Sequence, residues 1–224
     1  MAKTTSEDFM KVLSQRRFFI LLVLILAAIV LAPFMEDIFQ LKVLMDVFLT
    51  AVFFGIIFAI RSRRAHVVIA TALVLPLVVA TWSKYYFMAP ELSLTARIFG
   101  ALFFAYAIVI ILQIIARSKE VTKETIFAAI VAYLLIALMW GFIFMILEAV
   151  EPGSFFIPEL GTWKGSTRFY YFSFVTITTL GYGDITPLTS RASSLAITEA
   201  VTGQMYMVVL VAWLVGMYVS RKSK

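Results

Sequence analysis

Charged residues are nearly absent from six long stretches of this chain and gather between them. The stretches are Arg17–Phe34, Leu41–Ile60, Val67–Trp82, Leu94–Ala116, Thr125–Leu147 and Arg191–Ser220. A helix rises 1.5 Å per residue, so about 20 apolar residues cross the hydrocarbon layer of a bilayer. Each stretch is therefore predicted to be a membrane-spanning helix, the third extended through Phe87 to gain length. Pro76 falls inside that third helix and predicts a kink. Arg16 and Arg17 precede the first stretch as they would precede a signal peptide. That stretch, however, is long, lacks a small-residue cleavage site and is followed by five more, which marks it as a retained anchor.

The segment between the fifth and sixth stretches, Glu148–Ser190, has a different pattern. It opens with Glu151-Pro152-Gly153, turns again around Pro158 and Gly161, then runs through Phe169-Tyr170-Tyr171-Phe172 to Thr176 and on to Pro187. It holds too many Gly, Pro and polar residues to span alone. Non-helical backbone is tolerated at membrane depth where protein covers it or where it lines a water-filled path. The segment is thus expected to dip into the membrane and return.

Composition agrees. The chain of 224 residues is 62% hydrophobic and 14% charged, against roughly a quarter charged in an ordinary globular domain. With no cysteine, disulfides, thiol catalysis, Cys-ligated zinc and iron–sulfur clusters drop out together. His66 is the lone histidine, which argues against a histidine metal site or a Ser-His-Asp triad. The span-interior acids Asp46 and Glu199 share no motif, so a membrane-embedded enzyme is disfavoured.

The net charge of +6 is a topology signal. Counting connections alternately from the N-terminus puts thirteen Lys and Arg on one side and six on the other. The positive-inside rule then places both termini in the cytoplasm, with Glu148–Ser190 on the outer side. Nucleic-acid binding would want a basic soluble module, and the short tails offer neither that nor a cytoplasmic ligand-binding domain.

The chemistry lies in Thr176-Ile-Thr-Thr-Leu-Gly-Tyr-Gly-Asp184. An ion leaving water needs a cage of oxygens, and successive backbone carbonyls provide one if they point the same way. Strand carbonyls alternate; aligning them requires left-handed residues at every second position, which glycine adopts without penalty. Gly181 and Gly183 have that spacing, and Thr179 adds a hydroxyl at the inner end. One loop offers too few oxygens around an axis. A closed ring of identical chains completes the cage, and one copy per chain implies four chains.

This stretch resembles the filter of the tetrameric potassium channel superfamily, Thr-Val-Gly-Tyr-Gly, with Leu180 in place of Val. The resemblance extends from about Arg168 through Gly216. It implies potassium coordination by the carbonyls of Thr179, Leu180, Gly181 and Tyr182 and by the Thr179 hydroxyl, with Gly183 completing the filter. It also implies that Asp184 hydrogen-bonds behind the filter to Tyr171, where many relatives have Trp. Gly203 stands where relatives carry a gating-hinge glycine; close helix packing is the other use of a small residue there. Gln204, Met207, Val211 and Val215 form one stripe that by resemblance lines the cavity. Glu199, about 140° round the helix from Gln204, is expected to face the pore helix. There it would support the filter by hydrogen-bonding near Thr176 or Thr178, since Val175 stands where some relatives place a buried carboxyl.

The first four spans resemble the six-helix branch of that superfamily in number, length and topology. Their fourth member holds just Arg97, where voltage sensors carry basic residues at every third position. One charge crossing 100 mV supplies about 2.3 kcal/mol, and sensors use roughly three or four per subunit, so steep voltage dependence is not expected. Arg97 is expected to pair with Asp46 at similar depth; snorkelling to the headgroups is the alternative.

The fold class is therefore all-α integral membrane: six transmembrane helices with a re-entrant pore helix and filter loop between helices 5 and 6. The chain divides into a cytoplasmic tail (1–16), a voltage-sensor-like domain without gating charges (17–116), a linker (117–124), a pore domain (125–220) and a short tail (221–224). Within the pore domain the pore helix is 168–178, the filter 179–183 and the inner helix 191–220. The linker, about 12 Å if helical, is too short for swapping, so each four-helix domain is expected beside its own pore. The functional expectation is a passive, potassium-selective homotetramer in the cell membrane of a prokaryotic-looking source, with lipid and potassium ions as partners and no cofactor. A voltage-gated potassium channel, a weakly selective cation channel and a non-conducting accessory subunit are the alternatives.

Overall fold

A computed structural model describes residues 16–35, 39–61, 63–87, 94–118, 120–158, 165 and 167–222. The N-terminal tail before residue 16, residues Glu159, Gly161 and Lys164, and the last two residues lie outside the described residues.

The described residues are mostly helical. The elements are α1 (Arg17–Met35), α2 (Phe39–Ile60), α3 (Arg64–Phe87), α4 (Leu94–Ala116), α5 (Lys123–Val150), β1 (Phe155–Phe156), α6 (Thr167–Ile177), β2 (Thr186–Pro187) and α7 (Ser190–Lys222). Among the described residues, Arg64–Ser83, Leu94–Ala116, Lys123–Val150 and Ser190–Trp213 are long and apolar enough to cross a membrane; Arg17–Leu31 and Asp46–Ile60 are shorter apolar helices. Pro76 sits within α3.

The chain winds around α5, which packs extensively along α4 and also touches α1, α6 and α7. Thr122 caps α5: its Oγ1 accepts from the Thr125 amide at 3.2 Å, and the Thr125 hydroxyl accepts the Thr122 amide in return. Such reciprocal capping fixes where a helix starts, so the connection from α4 ends in a capped turn. Close by, Glu124 Oε2 accepts the Phe18 amide at 3.1 Å, fastening the start of α1 to the start of α5.

Aromatic rings join the layers. Phe53 of α2 meets Phe104 of α4 edge-on at 6.3 Å, Phe104 meets Phe142 of α5 at 5.6 Å, and Phe142 meets Tyr170 of α6 at 5.6 Å. Each offset or edge contact adds about 0.5–1.5 kcal/mol beyond the area it buries. A second cluster, Phe144, Phe155, Phe169 and Phe172, fills the space between α5, β1 and α6. It seats the short helix α6 on the C-terminal half of α5.

One element departs from an all-helical reading. Phe155 and Phe156 pair antiparallel with Pro187 and Thr186, and the Leu188 amide donates to the Ser154 carbonyl at 2.8 Å. This two-residue ladder is too short to leave a period in the sequence. It ties the chain just beyond the filter motif to the loop leaving α5.

Candidate functional site

The site is built on the end of α6. The Thr179 amide donates to the Thr176 carbonyl at 3.0 Å, and the Val175 carbonyl accepts both the Leu180 and Gly181 amides, at 3.0 and 3.2 Å. These bonds satisfy carbonyls that a helix terminus otherwise leaves unpaired. They also orient the residues beyond the helix. A trans peptide sets each carbonyl opposite the N–H of the next residue. With the Leu180 and Gly181 amides both turned back toward Val175, the carbonyls of Thr179 and Leu180 turn to the other side.

The backbone continues in the same manner. Thr179, Gly181 and Gly183 all have positive φ, at 58°, 60° and 77°, and among the described residues Thr179 is the sole non-glycine to do so. Leu180 and Tyr182 between them do not. Left-handed residues at every second position undo the usual alternation of carbonyl direction. The two glycines carry this freely. A β-branched Thr at φ 58° is a backbone outlier, of the kind found at functional sites. Thr179 was singled out in the sequence for its hydroxyl; its left-handed backbone was missed. The signal was the spacing, since 179 continues the register of 181 and 183. Its Oγ1 donates to the Thr178 carbonyl at 2.6 Å.

Support comes from behind. The Tyr171 hydroxyl donates to Asp184 Oδ2 at 2.7 Å, so the structure brings together the two residues assigned to this contact. Residues 178–184 are all exposed in the single chain, Leu180 by 54% and Tyr182 by 66%.

Helix α7 braces α6 from the other flank. Gly203 lies against Ile177: a Cβ there would come within 2.5 Å of Ile177 Cγ1 and 2.7 Å of its carbonyl oxygen. Close approach is thus the demand made on this glycine. Tyr133 of α5 donates to the same Ile177 carbonyl at 3.1 Å, stacks 5.7 Å from Tyr206 of α7, and the Tyr206 hydroxyl donates to the Ala129 carbonyl at 2.7 Å.

Glu199 is completely buried and is hydrogen-bonded to Ser173 of α6. This corrects the expected partners, Thr176 and Thr178. The Gly203–Ile177 contact sets the register of the two helices, and one turn earlier on each brings Glu199 to Ser173. The Thr178 hydroxyl is committed to the Phe174 carbonyl of its own helix at 2.6 Å, and Thr176 contributes its carbonyl. Gln204, Met207, Val211 and Val215 are exposed along α7.

Asp46 and Arg97 are both buried, at 5% and 8% exposure. Arg97 Nη1 donates to the Met145 carbonyl at 2.9 Å, which holds it against α5. A backbone carbonyl as partner carries no sequence signal. Arg191 Nη1 and Glu151 Oε2 form a 3.0 Å salt bridge between the start of α7 and the end of α5.

Residues 132–220 match a family model described as an ion channel. No curated protein and no solved structure matches the chain. The matched stretch runs from the middle of α5 through α6 and the 178–184 segment to the end of α7. That stretch is similar to the ion-channel family, and with the apolar helices the similarity supports a multi-pass membrane protein.

Proposed function

We propose that this chain is the subunit of a potassium-selective pore that conducts passively as a homotetramer. The observation that carries the reading is the alternation of left-handed backbone at Thr179, Gly181 and Gly183, with the intervening amides turned back on α6. Four such segments around an axis place rings of carbonyl oxygens from Thr179, Leu180, Gly181 and Tyr182 where a dehydrated cation replaces its water shell. The Thr179 hydroxyl adds the innermost ring. Four copies of α6 direct their carbonyl ends, each about half a negative charge, at the space beneath. The exposed stripe of Gln204, Met207, Val211 and Val215 lines that space.

In this reading all six long helices span the cell membrane with both termini in the cytoplasm, α6 is re-entrant, and conduction needs neither cofactor nor catalysis. The peripheral helices α1–α4 pack beside their own pore, supported by the Phe18–Glu124 bond and by the long α4–α5 contact. Their charge content argues against a voltage sensor: Arg97 alone lies within α4, buried and bonded to α5. Reconstitution in liposomes tests the reading. Potassium gradients should dissipate through the protein much faster than sodium gradients, with weak dependence on an imposed membrane potential. Equal passage of sodium, or a monomer by mass measurement in lipid, overturns it.

A further inference from the structure

Ser173 sits at a junction of three helices with too few protons for its contacts. Its Oγ lies 2.6 Å from the Ala137 carbonyl of α5 and also in hydrogen-bond contact with Glu199 Oε1 of α7. A serine hydroxyl has one proton, and a backbone carbonyl has none to give. If Ser173 donates to a carboxylate at Glu199, its 2.6 Å approach to the Ala137 oxygen is lone pair against lone pair. If it donates to Ala137, the proton between Ser173 and Glu199 comes from the carboxyl.

Two further observations select the second arrangement. Glu199 has no exposed surface, and the Arg191–Glu151 salt bridge does not involve it. A buried carboxylate without a cationic partner is costly enough that the group neutralises instead. Glu199 Oε2 is buried with no hydrogen-bond partner among the described residues. The carbonyl oxygen of an acid tolerates that better than a carboxylate oxygen does. The Tyr133 hydroxyl is spent on the Ile177 carbonyl.

We infer that Glu199 is held as a neutral carboxylic acid and donates to Ser173, which donates to the Ala137 carbonyl, a proton-ordered chain binding the inner helix, the α6 helix and the outer helix behind the conduction segment. Glu199 is then a positioning residue. It holds the helix whose end orients Thr179 and Leu180, and its effect on conduction rests on the pore reading above.

The protonation state is measured on the purified full chain in lipid by infrared spectroscopy with labelled glutamate. A carboxylic-acid C=O stretch should be present and should vanish in Glu199→Gln. In Ser173→Ala, which takes away the acceptor, the band should move to higher frequency. Gln keeps a neutral donor in place, so potassium flux in Glu199→Gln should stay within about twofold of the parent, whereas Glu199→Ala should lose about tenfold. Absence of the acid band, no shift in Ser173→Ala, or equal losses in the Gln and Ala variants overturn the inference. Should the parent protein pass no potassium, the proposed function fails while the infrared band still decides the protonation state.

Discussion

The hydroxyl of Tyr171, in the first half of α6, donates a 2.7 Å hydrogen bond to the carboxylate of Asp184, the residue immediately after the left-handed segment. Asp184 is followed by buried Ile185 and by the ladder of Thr186 and Pro187 with Phe156 and Phe155. The end of the left-handed segment at Asp184 is therefore held by the Tyr171–Asp184 bond and by a short ladder. A bond to a charged acceptor contributes roughly 1.5–3 kcal/mol, less where water competes. Tyr171→Phe removes the donor and keeps the ring. Potassium flux should begin normally and then decay faster than in the parent, and a second measurement, tetramer survival on heating in detergent, should fall by several degrees. A variant with unaltered decay and unaltered heat resistance would show that the bond does not hold that end.

Gly203 and Gly216 provide a matched pair on one helix. A Cβ at Gly203 would collide with the Ile177 carbonyl at 2.7 Å, whereas nothing stands within 4 Å of one at Gly216 in the single chain. The carbonyl is backbone and is already engaged by Tyr133, so it cannot step aside cheaply. Gly203→Ala should cost on the order of 1–3 kcal/mol, as overpacking does, and reduce the yield of folded protein. Gly216→Ala should express as the parent does and gain slightly from better helix propensity. Melting curves of the two variants in the same detergent decide the matter. Equal stability in both would place the role of Gly203 in bending rather than in packing.

How much of this was legible beforehand depends on what a side chain can announce. Helix positions came from length and apolar content, and α4 runs Leu94–Ala116 in the structure as in the sequence. The left-handed segment was legible because Gly181 and Gly183 are residue types chosen for a backbone conformation. Thr179 was less so: nothing about threonine announces φ 58°, and the neighbours impose it. Ser173 was overlooked because a single hydroxyl between Phe172 and Phe174 looks like any small residue in an apolar run. Its importance comes from a helix register that Gly203 sets by contact. Arg97 was recognised as costly in lipid, but its bond to the Met145 carbonyl involves an atom every residue owns. Sequence thus reports which groups need partners; packing decides which partners they get.

Arg97 is fastened to α5. It is buried and donates to the backbone of α5, close to the seam where Gly100 receives the Phe142 ring. Removing a buried charged donor from its acceptor costs about 1–3 kcal/mol, so Arg97→Gln should lower thermal stability by roughly that amount. A moving charge would instead contribute about 2.3 kcal/mol per 100 mV. The current–voltage relation of Arg97→Gln should therefore superimpose on that of the parent after scaling for expression. A changed slope against voltage would make Arg97 a gating charge and refute the static role.

The salt bridge between Arg191 and Glu151 is a surface pair, with Arg191 77% exposed, and surface pairs contribute little to stability. Its consequence is electrostatic. In a tetramer it places four compensated pairs around the outer end of the pore, so removing one partner exposes a ring of four like charges. Glu151→Gln leaves the ring positive and should lower potassium entry; Arg191→Gln leaves it negative and should raise entry. The double variant, neutral like the intact pair, should return close to the parent. Exposed charges are screened over about 10 Å at 0.1 M salt and about 3 Å at 1 M, so all three differences should be plain in dilute potassium and shrink in concentrated salt. Melting temperatures should barely move throughout. If the two single variants change flux in the same direction, or if their effects persist undiminished at about 1 M, the pair acts on the fold of the mouth and not through its field.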